Sequence, residues 1–492
     1  MRHEKSGYRQ GLKYKAACRS PEPVASEVGG GHSTVERQDS RTWREGRTPA
    51  LTGVAAAEEG LVTAQGISPL AQRTHRKVQV LQQKLHQAAK KDLRRPFGIL
   101  YDKVCWWEVL WTSWIHVQRN QGAPGVDGRT IRAIKAEGEV AFLQDIQQEL
   151  LAKQYKPQPI RRVFIKKANG KLRPLGIPTV RDRVVQGAVK LVLEPIFETN
   201  FMPESYGFRP RRSCQDALKA VRKWVTAGYS TVIDADLEAY FDTIDHSVLL
   251  SLVQRRVRDR WVLRLIRGWL ACAIFEQDKT VLAERGTGQG SVLSPLLANV
   301  YLHPLDKYWA ERFPETKLIR YCDDFVILTR RKNPEGYLQQ LTAFLTRLRL
   351  QLSAEKTQVV RAAHGFDFLG ARLVLKPTRR DRTRMFCYGF PSPKAMKRVR
   401  QHVRTAMGRD HTKSLDEVIS YLNPVLRGWA NYYNWLNSAE HFHEVERYVI
   451  QRLNRWRRRK QQRVRRSYRK LSGPELFAHG LYKITGRIAH VN

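Results

Sequence analysis

The spacing of apolar positions divides the chain into a polar start and a patterned remainder. From Met1 to about Leu70 no apolar period is sustained, and Gly29-Gly30-Gly31 and short charged stretches break the run. That composition predicts disorder. Order is expected from near Arg76, where Val78, Leu81, Leu85 and Ala88 recur at helical spacing. A second helix is expected over Ile99 to Val117, carrying Trp106, Trp107, Trp111 and Trp114; core packing accounts for so many indoles better than an exposed stacking surface. The turn formers Asn120 to Gly128 then separate helices. From Tyr155 to Pro178 the pattern becomes strand-like, with a hairpin turning at Ala168-Asn169-Gly170. A long helix should follow, roughly Asp182 to Phe197. Thr231 to Leu237 predicts a β-branched strand ending in carboxylates, and Ser291 to Tyr308 a helix after a Gly-rich entry. Leu318 to Leu328 predicts two short apolar strands joined by Asp323-Asp324. Strands interleaved in this way with helices predict an α+β fold, not a doubly wound sheet. After about Arg372 a short β segment with an Arg-rich turn (Arg379, Arg380, Arg382, Arg384) leads into a helical, basic C-terminal region.

Charge changes this picture most. The 492 residues hold 87 Lys plus Arg against 46 Asp plus Glu, a formal net charge of +41. Self-repulsion of that size opposes compaction unless a polyanion neutralises it. The cations recur along the chain, so a long positive track and a nucleic-acid partner are expected, with phosphates supplying most of the affinity. The first seventy residues are then either disordered or ordered on RNA. The cysteines Cys18, Cys105, Cys214, Cys272, Cys322 and Cys387 lie far apart with no CxxC pair. Neither a zinc ribbon nor a disulfide framework is indicated. A reducing cytoplasm is the simplest compartment, with no membrane span and no signal-peptide core expected.

The sharpest chemical signal is the apolar–Asp-Asp–apolar hairpin combined with an upstream strand ending in Asp236. Adjacent carboxylates raise one another's pKa, and a divalent cation reverses that cost. A lone Asp-Asp is an ordinary exposed turn; the apolar strand on each side and the second carboxylate strand argue against that reading. Two Mg²⁺ ions about 4 Å apart, held by carboxylates from neighbouring strands, serve phosphoryl transfer.

These residues carry a family resemblance. Tyr321-Cys322-Asp323-Asp324 resembles the tyrosine-x-Asp-Asp box of reverse transcriptases, and Asp236-Leu237-Glu238-Ala239-Tyr240-Phe241-Asp242 their first carboxylate motif. Gly122 to Gly128, Lys171 to Pro178, Ser205 to Pro210, Gly286 to Gly290, Ser294 to Asn299, Leu352 to Thr357 and Gly365 to Gly370 narrow it to group II intron-encoded proteins. The resemblance covers the chain from about Arg76 to its end. It implies a right-hand polymerase fold, fingers and palm, followed by an α-helical thumb or maturase domain. The expected divisions are a basic extension over 1–70, a helical extension of the fingers over 71–150, fingers and palm over 151–375, and the thumb over 376–492. By the same resemblance Asp236 and Asp323 bind two Mg²⁺ with the Leu237 carbonyl, and Asp324 is the accessory carboxylate. Phe241 walls off the 2′-hydroxyl. Lys167 and Arg173 grip the triphosphate, Arg as a fork and Lys as a point charge. Gln289 contacts the nucleotide, and Lys356 neutralises or protonates the departing pyrophosphate. Phe368-Leu369-Gly370 resembles the primer grip. Asp242 and Asp245 are expected to orient the loop and not to bind metal. Cys322, Gly288 and Ser291 stand where the family commonly has Ala, Pro and Gly.

Leu422 to Tyr433, with Arg427-Gly428-Trp429, resembles the maturase domain of the same family. Downstream, Arg452 to Lys470 interleaves cations with Leu453, Trp456, Val464 and Tyr468, and Arg457, Arg458 and Arg459 are expected to hold RNA along with Arg427 and Trp429. His441-Phe442-His443 lacks the partner ligands of a Cys/His endonuclease, so no such domain is expected. The implied partners are group II intron RNA, a DNA target or primer, and deoxynucleoside triphosphates. Two neighbouring readings remain: a splicing-only maturase, which tends to lose the carboxylate triad, and a host-adopted reverse transcriptase in antiviral defence, which normally drops the maturase signature.

Overall fold

The computed structural model describes residues 62–63, 66–67, 69–166, 172–276, 279–281, 284–288, 290–408, 412–461 and 469–488. Most of the expected N-terminal extension lies outside the described residues. Two compact units divide the chain: Met1–Gln82, Asp102–Ala188 and Cys272–Leu282 form one, and Gln83–Tyr101, Val189–Ala271 and Ala283–Asn492 the other.

Helix Pro69–Lys91 begins earlier than the apolar period suggested, and Ala89 instead of Ala88 completes its buried stripe with Val78, Leu81 and Leu85. The segment expected as one helix over Ile99 to Val117 is broken. Tyr101–Val104 is separate, and Trp106, extended and exposed, starts Trp107–Asn120. Trp111 and Trp114 are buried, as packing predicted, and the Trp114 Nε1 donates to Glu139 Oε2 at 2.9 Å.

In the first unit, strand Ile160–Lys166 pairs antiparallel with Leu172–Ile177 and parallel with Ile274–Glu276, which turns back along Lys279–Val281. The glycine cluster after residue 120 packs against the next motif. A Cβ on Gly125 would lie 2.6 Å from Thr179 Cα, and Arg183 donates to the Pro178 carbonyl at 3.0 Å and to that of Ala123. The turn signal that sequence read only as a loop is therefore a fitted contact.

The second unit contains an antiparallel sheet of β1 (Thr231–Asp236), β2 (Lys317–Tyr321), β3 (Asp324–Thr329) and β4 (Gln358–Arg361), in the order β4-β1-β3-β2. A second sheet comprises β5 (Phe366–Phe368), β6 (Ala371–Pro377) and β7 (Met385–Pro391). The relevant helices are α1 (Cys214–Thr226), α2 (Ser294–Arg312), α3 (Pro393–Met407), α4 (Leu415–Tyr433) and α5 (Ala439–Gln461). Capping boxes start α1 at Ser213 and α4 at Ser414, each satisfying two otherwise orphaned amides. One continuous core joins both sheets to the C-terminal helices, from Leu218 and Ile319 through Phe368 and Leu373 to Leu422, Val445 and Trp456. The mixed helix and sheet content agrees with the α+β expectation.

Candidate active site

The register of β1 on β3 sets Asp236 directly across from Asp324. Across the β2–β3 hairpin Tyr321 faces Asp324, so Cys322 and Asp323 form a two-residue turn. Such turns need positive φ at a central position, and Cys322 supplies it at φ 60° although it is not glycine. The strain is held from outside. Gly207 lies so close that a Cβ there would fall 2.4 Å from the Cys322 amide nitrogen. Burial, then the neighbouring Asp323, push the Cys322 thiol well above its ordinary pKa, so it remains a protonated, unreactive thiol.

A residue that sequence reading passed over organises this turn. Arg320 is fully buried and donates to Asp306 through Nε (2.8 Å) and Nη2 (2.5 Å), to Asn299 Oδ1 and the Cys322 carbonyl (both 2.9 Å), and to Ser205 Oγ (2.8 Å). Asn299 in turn donates to the Gly207 carbonyl at 2.7 Å. One guanidinium thus ties the Ser205–Gly207 loop, helix α2 and the Asp-Asp turn together. The available signal was a lone cation inside an apolar strand, since a buried charge requires a partner.

The Asp236 carboxylate accepts from Lys356 Nζ at 2.6 Å. Beyond it, the Ser353 amide donates to the Asp236 carbonyl at 2.8 Å and the Glu238 amide to the Gln351 carbonyl at 3.0 Å. These two bonds flank Leu237 opposite Leu352 and do not use the Leu237 carbonyl. Phe241 stands on the short helix Tyr240–Thr243, where the Tyr240 hydroxyl donates to the Ala298 carbonyl at 2.6 Å. The Thr287 amide donates to the Phe241 carbonyl at 2.7 Å, fixing the loop that carries Gln289, itself outside the described residues. Asp245 caps helix His246–Gln254 through the Ser247 and Val248 amides and pairs with Arg349 at 2.5 Å. Burial opposes its ionisation, but hydrogen bonds from the Ser247 hydroxyl and the Val248 amide, with the Arg349 cation, prevail and hold the carboxyl well below the usual range. Its role is to cap.

Between β5 and β6, Leu369 (φ 45°) and Gly370 (φ 80°) form a tight turn. The Tyr432 hydroxyl donates to the Leu369 carbonyl at 2.8 Å, and that of Tyr433 to the Gly370 carbonyl at 3.0 Å. Burial pushes both phenols up, against the opposing Arg398 charge at Tyr433, so both remain donors. Phe368 points into the core.

In the first unit, Arg173 is half-buried and faces Ile165 across the hairpin; Lys167 lies outside the described residues. Among the described residues no group of three or more carboxylate, thiol or imidazole side chains is gathered closely enough to hold a metal. The donors at this end of the sheet, three carboxylates and the Leu237 carbonyl, are all oxygens, which suits a hard divalent cation.

The family model described as reverse transcriptase (RNA-dependent DNA polymerase) matches residues 165–373, and that for the group II intron, maturase-specific domain matches 396–472. The chain is 36% identical over 294 residues to protein YkfC of Escherichia coli strain K12, covering 52% of this chain and 77% of that protein. The chain belongs to the group II intron type of reverse transcriptase. It is also 28% identical over 355 residues to group II intron-encoded protein LtrA of Lactococcus lactis, spanning 58% of each. Nuclear intron maturase 1, mitochondrial, of Arabidopsis thaliana is 29% identical over 202 residues, 30% of this chain and 28% of that protein.

In this reverse transcriptase the maturase match begins in α3 and runs through α4 and α5. Arg427 is exposed, its guanidinium over the Tyr482 ring at 5.3 Å. Trp429, expected to hold RNA, is half-buried and packs its ring against Tyr433 and Phe442 at about 5 Å. On α5, Val445, Val449, Leu453 and Trp456 form the buried stripe; Arg458 and Arg459 are exposed and Arg457 is half-buried. Val464 and Tyr468 lie outside the described residues. The five described cysteines are free thiols, and no helix among the described residues is long and apolar enough to cross a membrane.

Proposed function

We propose that this reverse transcriptase extends a DNA 3′-hydroxyl along group II intron RNA and that its C-terminal helices hold the same RNA for splicing. The observation that carries the reading is Asp236 opposite Asp324 with Asp323 in the adjoining turn. Asp236, Asp323 and the Leu237 carbonyl would hold two Mg²⁺. When bound, the ions stabilise both the attacking and the leaving oxygen of phosphoryl transfer. Asp324 stands beside the primer end as an accessory carboxylate. Lys356, paired with Asp236, brings a mobile ammonium to the same corner, suited to neutralise or protonate departing pyrophosphate. Phe241 provides the wall against a 2′-hydroxyl, and Lys167, Arg173 and Gln289 serve the incoming deoxynucleotide. Arg427 and Arg457 to Arg459 meet phosphates of the RNA.

Asp323→Ala should lower primer extension by about 10³ or more, because a two-metal clamp supplies several kcal/mol of transition-state stabilisation. It should leave intron binding and splicing intact. Neutralising Arg457, Arg458 and Arg459 together should do the reverse, weakening intron binding and flattening its salt dependence by up to about one unit per lost contact. Near-normal extension by Asp323→Ala would refute the polymerase site. Unchanged RNA binding by the triple variant at every salt would reduce that stretch to a solvated face.

A further inference from the structure

Strand β7 has two unlike faces. Cys387 and Gly389 point inward, where Cys387 joins the core and a Cβ on Gly389 would meet Leu436 at 2.6 Å. The alternate positions, Phe386, Tyr388 and Phe390, are half-buried and belong neither to that core nor to the residues packed on it. Their rings run in file. Phe386 and Tyr388 are 5.1 Å apart edge-on, and Tyr388 and Phe390 are 6.5 Å apart with planes only 9° from parallel. Register puts Lys376 beside Phe386, Val374 beside Tyr388 and Arg372 beside Phe390 on the same face, because directly paired residues share a side. At one end Phe390 leans on His441 of α5 at 5.7 Å; at the other, Arg222 of α1 lies 5.3 Å from the Phe386 ring.

The β6–β7 turn continues this face and is built to display charge. Thr378 Oγ1 donates to the Asp381 carbonyl at 2.6 Å, the Arg384 amide to the same carbonyl at 3.1 Å, and the Thr383 amide to the Asp381 carboxylate at 2.9 Å. The turn's single acid is thus engaged internally, while Arg379, Arg380, Arg382 and Arg384 are exposed. The outer strand edge is already satisfied: Arg222 donates to the Cys387 carbonyl at 3.1 Å and the Cys387 amide to Thr226 Oγ1 at 3.1 Å. A partner therefore meets the face and not the edge.

We propose that the outer face of β6 and β7 is a binding platform for single-stranded nucleic acid, with bases stacking on Phe386, Tyr388 and Phe390 and phosphates held by Lys376 and the arginine turn. Aromatic rings at alternate strand positions beside cations satisfy both requirements of a single-strand site, a π-surface for each base and a charged track for the backbone. The Leu369–Gly370 turn lies at the other end of β6. The platform thus leads away from the segment resembling the primer grip. The proposal rests on the chain's nucleic-acid role but not on its polymerase chemistry.

The test uses the full chain and single-stranded oligonucleotides, one RNA and one DNA, each carrying 5-iodouracil for photocross-linking and a dye for anisotropy. Cross-links should fall between Met385 and Pro391. Phe386→Leu, Tyr388→Leu and Phe390→Leu combined keep apolar bulk and should weaken binding about tenfold or more. Arg379→Ser, Arg380→Ser, Arg382→Ser and Arg384→Ser combined should flatten the salt dependence by about 0.7 per lost contact. Asp323→Ala should bind the oligonucleotide like the parent, so failure of the platform and failure of the polymerase reading give different results. Unchanged affinity in both sets, or cross-links only outside β7, would overturn the proposal. Loss confined to the serine set would replace the stacking platform with a charged tip alone.

Discussion

Two hairpins with similar sequence signatures meet opposite fates. In β2–β3 every position from Phe325 to Leu328 is wholly buried, and Ile319 and Arg320 close the other strand. In the hairpin of Ile160–Lys166 and Leu172–Ile177, three consecutive residues, Val163, Phe164 and Ile165, are exposed, the last at 51%, and Leu172 is exposed at 56%. Both are apolar strands around a short turn. What separates them is the neighbouring polar network. Arg320 ties α2 and the Ser205–Gly207 loop to one hairpin, whereas on the other Arg162 and Glu276 form a partly exposed ion pair at 3.2 Å. An apolar run therefore reports that a surface must be covered, not that its own fold covers it.

Substitutions sharpen this contrast in descending order of effect. Arg320→Met leaves Asp306 buried without its cation and should cost about 3–5 kcal/mol. A loss of unfolding free energy of that size in urea titration, with extension lost at permissive temperature, is expected; a variant as stable as the parent would show that the hub is dispensable. Ile319→Ser on the buried hairpin and Ile165→Ser on the exposed one form a matched pair. The first should cost about 2–5 kcal/mol through lost packing, the second no more than about 0.5 kcal/mol. Equal shifts in thermal unfolding would show that the two hairpins are equally covered. Tyr432→Phe and Tyr433→Phe each remove one hydroxyl from the Leu369–Gly370 turn and should cost about 1 kcal/mol each. They should shorten extension products more than they slow single-nucleotide addition. No change in product length would limit the two tyrosines to packing.

The strands and helices around the carboxylates were legible because period and turn chemistry agree there. Asp236 ends a β-branched run, and Asp323-Asp324 interrupts an apolar one. The expected helix from Ser291 starts instead at Ser294 and reaches Arg312, through Pro304, since proline signals a break even where tertiary contacts carry a helix past it. Arg320 was illegible because its partners lie far along the chain, Asp306 and Asn299 on a helix and Ser205 on a loop. The packing of Trp429 on Tyr433 and Phe442 was not legible in the motif that contains it, although Tyr433 follows one helical turn later on the same side of α4. The tyrosine pair at 432 and 433 belonged to a noted signature, yet nothing local ties it to residues 369 and 370.

That last contact bears on how the molecule could be cut or inherited. The two family matches leave 374–395 between them, which looks like a seam between interchangeable modules. Yet β7 lies within that interval, and the hydroxyls that hold the turn before β6 come from the end of α4. A fragment stopping at the seam would lose the edge strand of its second sheet and expose Leu373 and Phe368 to water. The reverse transcriptase match is therefore not a self-sufficient cassette. Grafting it onto another protein would require a surrogate for α4 as well, and a library of crossovers should recover activity only when both segments come from the same parent.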